Sequence, residues 1–258
     1  MTIKLNYQIY GEGEPIIIMH GLFGSNRNWT SIARQLADNY KVITVDLRNH
    51  GDSDHAPVMT FTEMADDIVK LIDECGLQKA TLIGHSMGGK VAMVFGLLHQ
   101  ACLDRLIVLD IAPVDYGSRF EHLIDAMLGL DLNTISSRQH ADEYLAQAIP
   151  ETFLRQSLLQ NLARDGDKFY WRIQLQAIRD NLPILGAFPA LETGLSYNET
   201  VLFLRGGDSN TIQPEHHAII KGFFPAAEIN TVEGAGHWLH VDQPATVLEK
   251  ICSFLDRQ

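Results

Sequence analysis

Four short apolar runs constrain this chain more than any other feature. Ile16-Ile17-Ile18-Met19, Val42-Ile43-Thr44-Val45, Thr81-Leu82-Ile83 and Leu106-Ile107-Val108-Leu109 follow one another before residue 110. A strand that is apolar without polar alternation is covered on both faces. Between the runs lie segments of helical period. Trp29 to Ala37 places Ile32, Ala33 and Leu36 together, Thr62 to Cys75 places Met64, Ile68, Leu71 and Ile72 on one face before the stop at Gly76, and Lys90 to Leu98 forms a third. Strands alternating with helices imply an α/β fold, a mainly parallel sheet with helices on both sides. Ile3 to Ile9 alternates and reads as an edge strand, separated from the first apolar run by the Gly11-Glu12-Gly13-Glu14-Pro15 turn.

The rhythm breaks near Asp110. From Asp115 to Leu195 the spacing gives helices and no convincing strand: Ala141, Tyr144, Leu145, Ala148 and Ile149 share a face, and Leu154, Leu158 and Leu162 follow similarly. It resumes with Val201 to Leu204, a helix near Glu215 to Lys221, a strand near Glu228 to Val232 and a closing helix from Ala245 to Leu255. The expected organisation is an α/β core from 1–114 and 196–258, with 115–195 inserted as an all-helical cap over the strand ends, where such folds place ligands.

Composition narrows the partners. Twenty Lys and Arg against 32 Asp and Glu give a formal charge of −12, which repels phosphate backbones, so no nucleic-acid partner is expected. Cys75, Cys102 and Cys252 are widely spaced and odd in number, a pattern of reduced thiols. The N-terminal stretch has no apolar signal region and the run at Ile16 is too short to span a bilayer, so the expectation is a cytoplasmic protein without membrane contact, a monomer or weak homodimer.

The chemistry centres on Gly84-His85-Ser86-Met87-Gly88, between a strand and a helix. A Ser on such a turn sits in strained backbone geometry with Oγ lifted above the sheet edge, and flanking glycines permit the close approach this requires. A hydroxyl needs a base to become a nucleophile. Of eleven histidines, His237, in Gly234-Ala235-Gly236-His237-Trp238 after the last strand, alone combines late position, glycine setting and strand end. An acid to orient the imidazole could be Asp110, directly after Leu106 to Leu109, or Asp208, after Val201 to Leu204; both satisfy the order Ser, Asp, His. His20-Gly21-Leu22-Phe23-Gly24-Ser25 supplies a turn whose Leu22 amide, or alternatively that of Phe23, can join the Met87 amide as an oxyanion hole. Arg48 and His240 read as structural, His85 as packing beneath the turn, and the His216-His217 pair faces two ways without companions, so no metal is expected.

Together with Asp46-Leu47-Arg48-Asn49-His50-Gly51-Asp52-Ser53, these ordered motifs resemble the α/β-hydrolase superfamily along essentially the whole chain. Within it, His20 to Ser25, Gly84 to Lys90 and Asp110-Ile111-Ala112-Pro113-Val114-Asp115-Tyr116 are similar to the small bacterial YbfF-type esterases. The resemblance implies a serine esterase on short acyl esters or small thioesters, with no cofactor. It also implies that Asp110 is the acid and that Ser209 joins its hydrogen-bond network; Asp208, an acid just before that Ser, departs from the pattern and stays the alternative. The same scaffold also supports C–C hydrolases or lyases and non-catalytic ligand-binding modules, which are the competing readings.

Overall fold

In the computed structural model, which describes residues 1–257, the chain begins with β1 (Tyr7–Tyr10) and β2 (Glu14–Met19). Next come α1 (Thr30–Leu36), β3 (Tyr40–Val45), α2 (Phe61–Glu74), β4 (Ala80–His85), α3 (Met87–Leu98) and β5 (Leu103–Leu109). Then follow α4 (Glu121–Leu128), α5 (Arg138–Leu145), α6 (Thr152–Leu159), β6 (Leu162–Asp165), β7 (Lys168–Trp171) and α7 (Leu175–Gly186). The chain closes with β8 (Val201–Gly206), α8 (His217–Phe223), β9 (Ala227–Val232), α9 (Leu239–Asp242) and α10 (Pro244–Leu255).

Seven strands form one sheet in the order β1-β3-β2-β4-β5-β8-β9, with only β1 antiparallel. Successive strand residues point to opposite faces. Ile17, Met19, Ile43, Val45, Leu82 and Val108 join a core with α2 and α3, whereas Ile16, Ile18, Val42, Ile83, Ile107 and Leu109 join a second core with α1 and α10. Both faces are therefore dry, which is why the runs carry no polar alternation. No described helix is long and apolar enough to cross a membrane.

Three expectations need correction. The strand expected from Ile3 starts only at Tyr7, because the backbone before it is engaged by side chains: the Ile3 amide donates to Asp67 Oδ1 (2.9 Å) and the Asn6 amide to Ser53 Oγ (2.7 Å). The helix expected near Lys90 begins at Met87, immediately after the serine. The segment between β5 and β8 is not all helical, since β6 and β7 pair as an antiparallel hairpin. Leu162 extends the spacing of Leu154 and Leu158, but Gly166 takes φ +55 in a two-residue turn, and the alternation of Phe169, Tyr170 and Trp171 has period two.

One buried cation ties that segment to the core. Lys90, on α3, is 2% exposed and its Nζ donates to the carbonyls of Gly186 (2.8 Å) and Ala187 (2.7 Å), with Leu185 O at 3.4 Å. These are end carbonyls of α7 with no intrahelical donor. The Phe61 and Tyr116 rings lie 5.5 and 5.1 Å from the nitrogen. Burial pulls the Lys90 pKa down from 10.5 to about 7. A neutral amine still has two N–H donors, enough for the two short bonds. Between about 7 and 10.5 the unfolded chain holds a proton that the folded chain has released, so this group's contribution to stability rises with pH. Urea unfolding across that window is expected to show wild type gaining on Lys90→Met by up to ~1.4 kcal/mol per pH unit; a flat difference would contradict the assignment.

Candidate active site

The β4–α3 junction is a backbone contact. A Cβ on Gly84 would lie 2.2 Å from the Gly88 carbonyl oxygen, and one on Gly88 would lie 2.6 Å from that of Met19. Only glycine fits at either position, and the squeeze forces the intervening Ser86 to φ 52 and ψ −116. Its amide donates to Leu109 O (3.0 Å) and its carbonyl accepts from Lys90 N (3.0 Å), so the strained residue is tethered to β5 and to α3. Positive φ at a non-glycine residue occurs at Phe23, Asn49, Ser86 and Asp110 among the described residues. Three of these lie in the loops that build this site, where stored strain concentrates in enzymes.

Ser86 Oγ lies 3.1 Å from His237 Nε2, and His237 Nδ1 lies 2.8 Å from Asp110 Oδ2. Asp110 is fully buried. Its other oxygen accepts from the Gly206 amide (2.9 Å), and Oδ2 also accepts from Ser209 Oγ (2.5 Å). Because that hydroxyl has one proton and spends it on the carboxylate, Ser209 accepts from the Thr211 hydroxyl (3.1 Å) and amide (3.2 Å). Thr211 Oγ1 also stands 3.4 Å from His237 Nδ1. Asp208 is exposed, its amide is bonded to Ala235 O (2.9 Å), and its carboxylate has no partner among the described residues. Ser86, His237, Asp110 and Ser209 are thus brought together; Asp208 is left outside.

The turn after β2 separates the two amides considered there. Gly24 N donates to Gly21 O (2.9 Å), with Phe23 at φ 63 as the third residue of the turn. The Phe23 amide is already spent on His50 Nε2 (3.2 Å), whereas that of Leu22 has no partner. Met87 N, the first amide of α3, has no intrahelical acceptor either. Two free donors therefore flank Ser86. From across the molecule, Asn161 Nδ2 donates to Phe23 O (2.8 Å).

Buried histidines hold this turn. His20 Nε2 accepts from Leu47 N (3.0 Å) and His50 Nε2 from Phe23 N, so in each the proton sits on Nδ1 and is donated to a carbonyl, Gly21 O (2.7 Å) and Arg48 O (2.9 Å) respectively. Burial pulls the His20 pKa down to about 4 and that of His50 to about 3. His85, held well below its ordinary value by burial, bonds the His237 carbonyl through Nε2 (2.8 Å) and so fixes the loop that carries His237. Arg48 is buried in an ion pair with Asp67 (2.7 Å), far from any substrate role.

Ser86, His237, Leu22 and Phe120 form the partition between two cavities. The first, about 240 Å³, is walled by Met87, Ile111, Tyr116, Leu182 and Leu185. The second, about 300 Å³, is lined by His85, His240, Phe153, Gln156, Gln160 and Trp238 among others. No group of three or more His, Cys, Asp or Glu among the described residues is placed to hold a metal ion.

Sequence reasoning missed His50, Asn161 and Thr211. His50 stands in the Asp46 to Ser53 motif quoted for the family, a signal that could have found it. Asn161 and Thr211 act through contacts from chain segments remote from the motifs and carry no local signature.

Comparison with known proteins places the chain. The model for the alpha/beta hydrolase fold family matches residues 14–244. The sn-1-specific diacylglycerol lipase ABHD11 of Mus musculus is 39% identical over 93% of this chain and 80% of its own length. Esterase YbfF of Escherichia coli is 35% identical over 94% of this chain and 93% of its own. A solved structure titled "Marine microorganism esterase" superposes with a TM-score of 0.95 at 36% identity, covering 98% of this chain and all of that one.

The buried histidines set an acid limit. Between 6.5 and about 4 the unfolded chain binds protons at His20 that the folded chain refuses, and for His50 the window extends to about 3. Stability is therefore complete above 6.5 and is lost as the pH falls through this window. Wild type is expected to lose up to ~1.4 kcal/mol more per pH unit there than His50→Gln, measured by urea unfolding; parallel profiles would contradict it.

Proposed function

The chain belongs to the alpha/beta hydrolase fold family and is a serine ester hydrolase within it, and we propose that it works through an acyl-enzyme on Ser86 with His237 as base, Asp110 as orienting acid, and the amides of Leu22 and Met87 as oxyanion hole. The observation that carries this reading is the unbroken chain Ser86–His237–Asp110 at 3.1 and 2.8 Å beside two unpartnered amides. His237 Nε2 takes the Ser86 proton as Oγ attacks the ester carbonyl, and the developing negative charge falls between the two N–H groups. The imidazolium, stabilised by the buried Asp110 carboxylate, then protonates the departing alkoxide or thiolate. Water attacks the acyl-enzyme by the reverse route and restores the hydroxyl. Ser209 acts as a positioning residue by donating to Asp110.

The substrate is a small ester. The preferred acyl group is short, or the substrate a small thioester, a reading supported by the first cavity: at about 240 Å³ it falls below the roughly 300–1,000 Å³ of drug-sized pockets. Residues 115–195 act as a cap and 1–114 with 196–258 as the catalytic core, supported by Leu182, Leu185 and Phe153, which wall the cavities from the inserted segment. The reaction needs no cofactor. The net charge of −12 supports a life without nucleic-acid partners, and the three free thiols support the cytoplasm; a monomer or weak homodimer suffices.

Two measurements test the assignment. Ser86→Ala should abolish turnover of p-nitrophenyl butyrate, Asp110→Asn should lower kcat by ~10³–10⁴, and Asp208→Asn should stay near wild type; the opposite ranking of the aspartates would overturn the acid. Across p-nitrophenyl esters, acetate and butyrate should exceed decanoate in kcat/KM, and equal decanoate activity would remove the short-chain reading.

A further inference from the structure

Asn161 belongs to the inserted segment, between α6 and β6, yet its side chain ends on the turn after β2. It is 4% exposed, and its Nδ2 donates to Phe23 O (2.8 Å) and Leu158 O (3.2 Å). Both neighbours are acceptors, so the amide nitrogen and not the oxygen faces them. The backbone of Asn161 is fixed as well. Its amide donates to Leu158 O (3.1 Å), and its carbonyl accepts from Arg172 N (2.9 Å) at the end of the β6–β7 hairpin.

Peptide geometry decides what a donor on Phe23 O does. No described peptide bond is cis, and in a planar trans unit the C=O and the following N–H point in opposite directions. Phe23 O and Gly24 N belong to one unit, Gly21 O and Leu22 N to another. The first accepts from Asn161 at its oxygen and donates at its nitrogen to Gly21 O (2.9 Å). The second is held at its oxygen by Gly24 N and His20 Nδ1 (2.7 Å), which leaves the Leu22 N–H aimed the opposite way. This turn packs on the nucleophile: a Cβ on Gly21 would lie 3.3 Å from Ser86 Cβ, and Leu22 lines both cavities beside Ser86. Asn161, the two peptide units and the free amide thus form one row of hydrogen bonds running in a single direction. Inside a protein each such bond polarises the next.

Resting on the acyl-enzyme reading above, we propose that Asn161 is a positioning residue of the oxyanion hole, which through the Phe23 and Gly21 peptides fixes the direction of the Leu22 N–H and strengthens it as a donor. The conformation of Phe23 makes the contact matter. A turn with positive φ at its third residue ordinarily has glycine there. Phe23 stands at φ 63, and bonds on both sides oppose its relaxation: His50 Nε2 holds its amide (3.2 Å) and Asn161 its carbonyl. An ester carbonyl gains its negative charge only as Oγ attacks, so the effect falls on the transition state and spares ground-state binding.

The test separates those two states. Asn161→Asp keeps the shape but removes both donors, and Asn161→Ala removes the side chain. Each is expected to lower kcat on p-nitrophenyl butyrate about tenfold with KM within about twofold, less than the roughly 10²–10³-fold cost of deleting an oxyanion donor outright. A trifluoromethyl ketone with the butyryl chain length adds Ser86 Oγ to become an anionic hemiketal, and should lose about tenfold in affinity. The matching methyl ketone, a ground-state mimic, should bind within about twofold of wild type. Leu145→Ala, a buried deletion in α5 remote from this row, controls for lost stability and should leave kcat within about twofold. Unchanged kcat in both Asn161 variants, equal loss of the two ketones, or an equal kcat loss in Leu145→Ala would overturn the role of Asn161 while leaving the ester-hydrolase reading intact. Turnover by Ser86→Ala equal to wild type would overturn the acyl-enzyme reading and this inference with it.

Discussion

The site depends on close backbone packing at the start of α3, where Gly84 of β4 lies against α3 and Gly88 of α3 against the end of β2, and neither tolerates a side chain. The squeeze has two results. It drives Ser86 to positive φ, lifting its hydroxyl above the ends of the parallel strands, and it starts α3 at Met87, so that the first free amide of the helix stands beside that hydroxyl. The hydroxyl and the free amide beside it are products of the same turn. The strain is bearable because β5 and α3 both bond the Ser86 backbone.

A second constraint is the fully buried carboxylate of Asp110. An ion without solvent is costly unless its lone pairs are met by donors. Here the donors come from two stretches far apart in sequence: the Gly206 amide and Ser209 hydroxyl at the end of β8, and the His237 ring after β9. Satisfying the charge therefore also clamps the two loops after β8 and β9 together, and the imidazole that results is aimed at Ser86. On the other side of the site the turn after β2 is held by neutral His20 and His50 and by Asn161 from the inserted segment. Protein stability and site geometry are here the same set of hydrogen bonds, which is why acid should attack both.

The inserted segment contributes walls rather than reacting groups. Its α7 end is gripped by Lys90 from the helix that follows Ser86, so the wall of the first cavity is anchored to the β4–α3 turn. The two cavities share Leu22, Ser86, Phe120 and His237 as a partition and differ in the rest of their walls.

Local pattern by itself determined the alternation that makes the α/β sheet, the interruption after Asp110, and the placing of Ser86 and His237 at strand ends, because these are written in periodicity and in glycine-flanked turns. Tertiary structure alone decided between Asp110 and Asp208: both follow strands at suitable spacing, but only the burial of one and the exposure of the other tell which carboxylate faces the imidazole. It alone chose the Leu22 amide over that of Phe23, since the competitor is a ring from another loop. The β6–β7 hairpin was hidden because Leu162 fits a helical spacing until its pairing with Trp171 outweighs it. In each case the undecided quantity was a contact between residues distant along the chain, and no local spacing encodes which of two chemically equivalent groups will be desolvated.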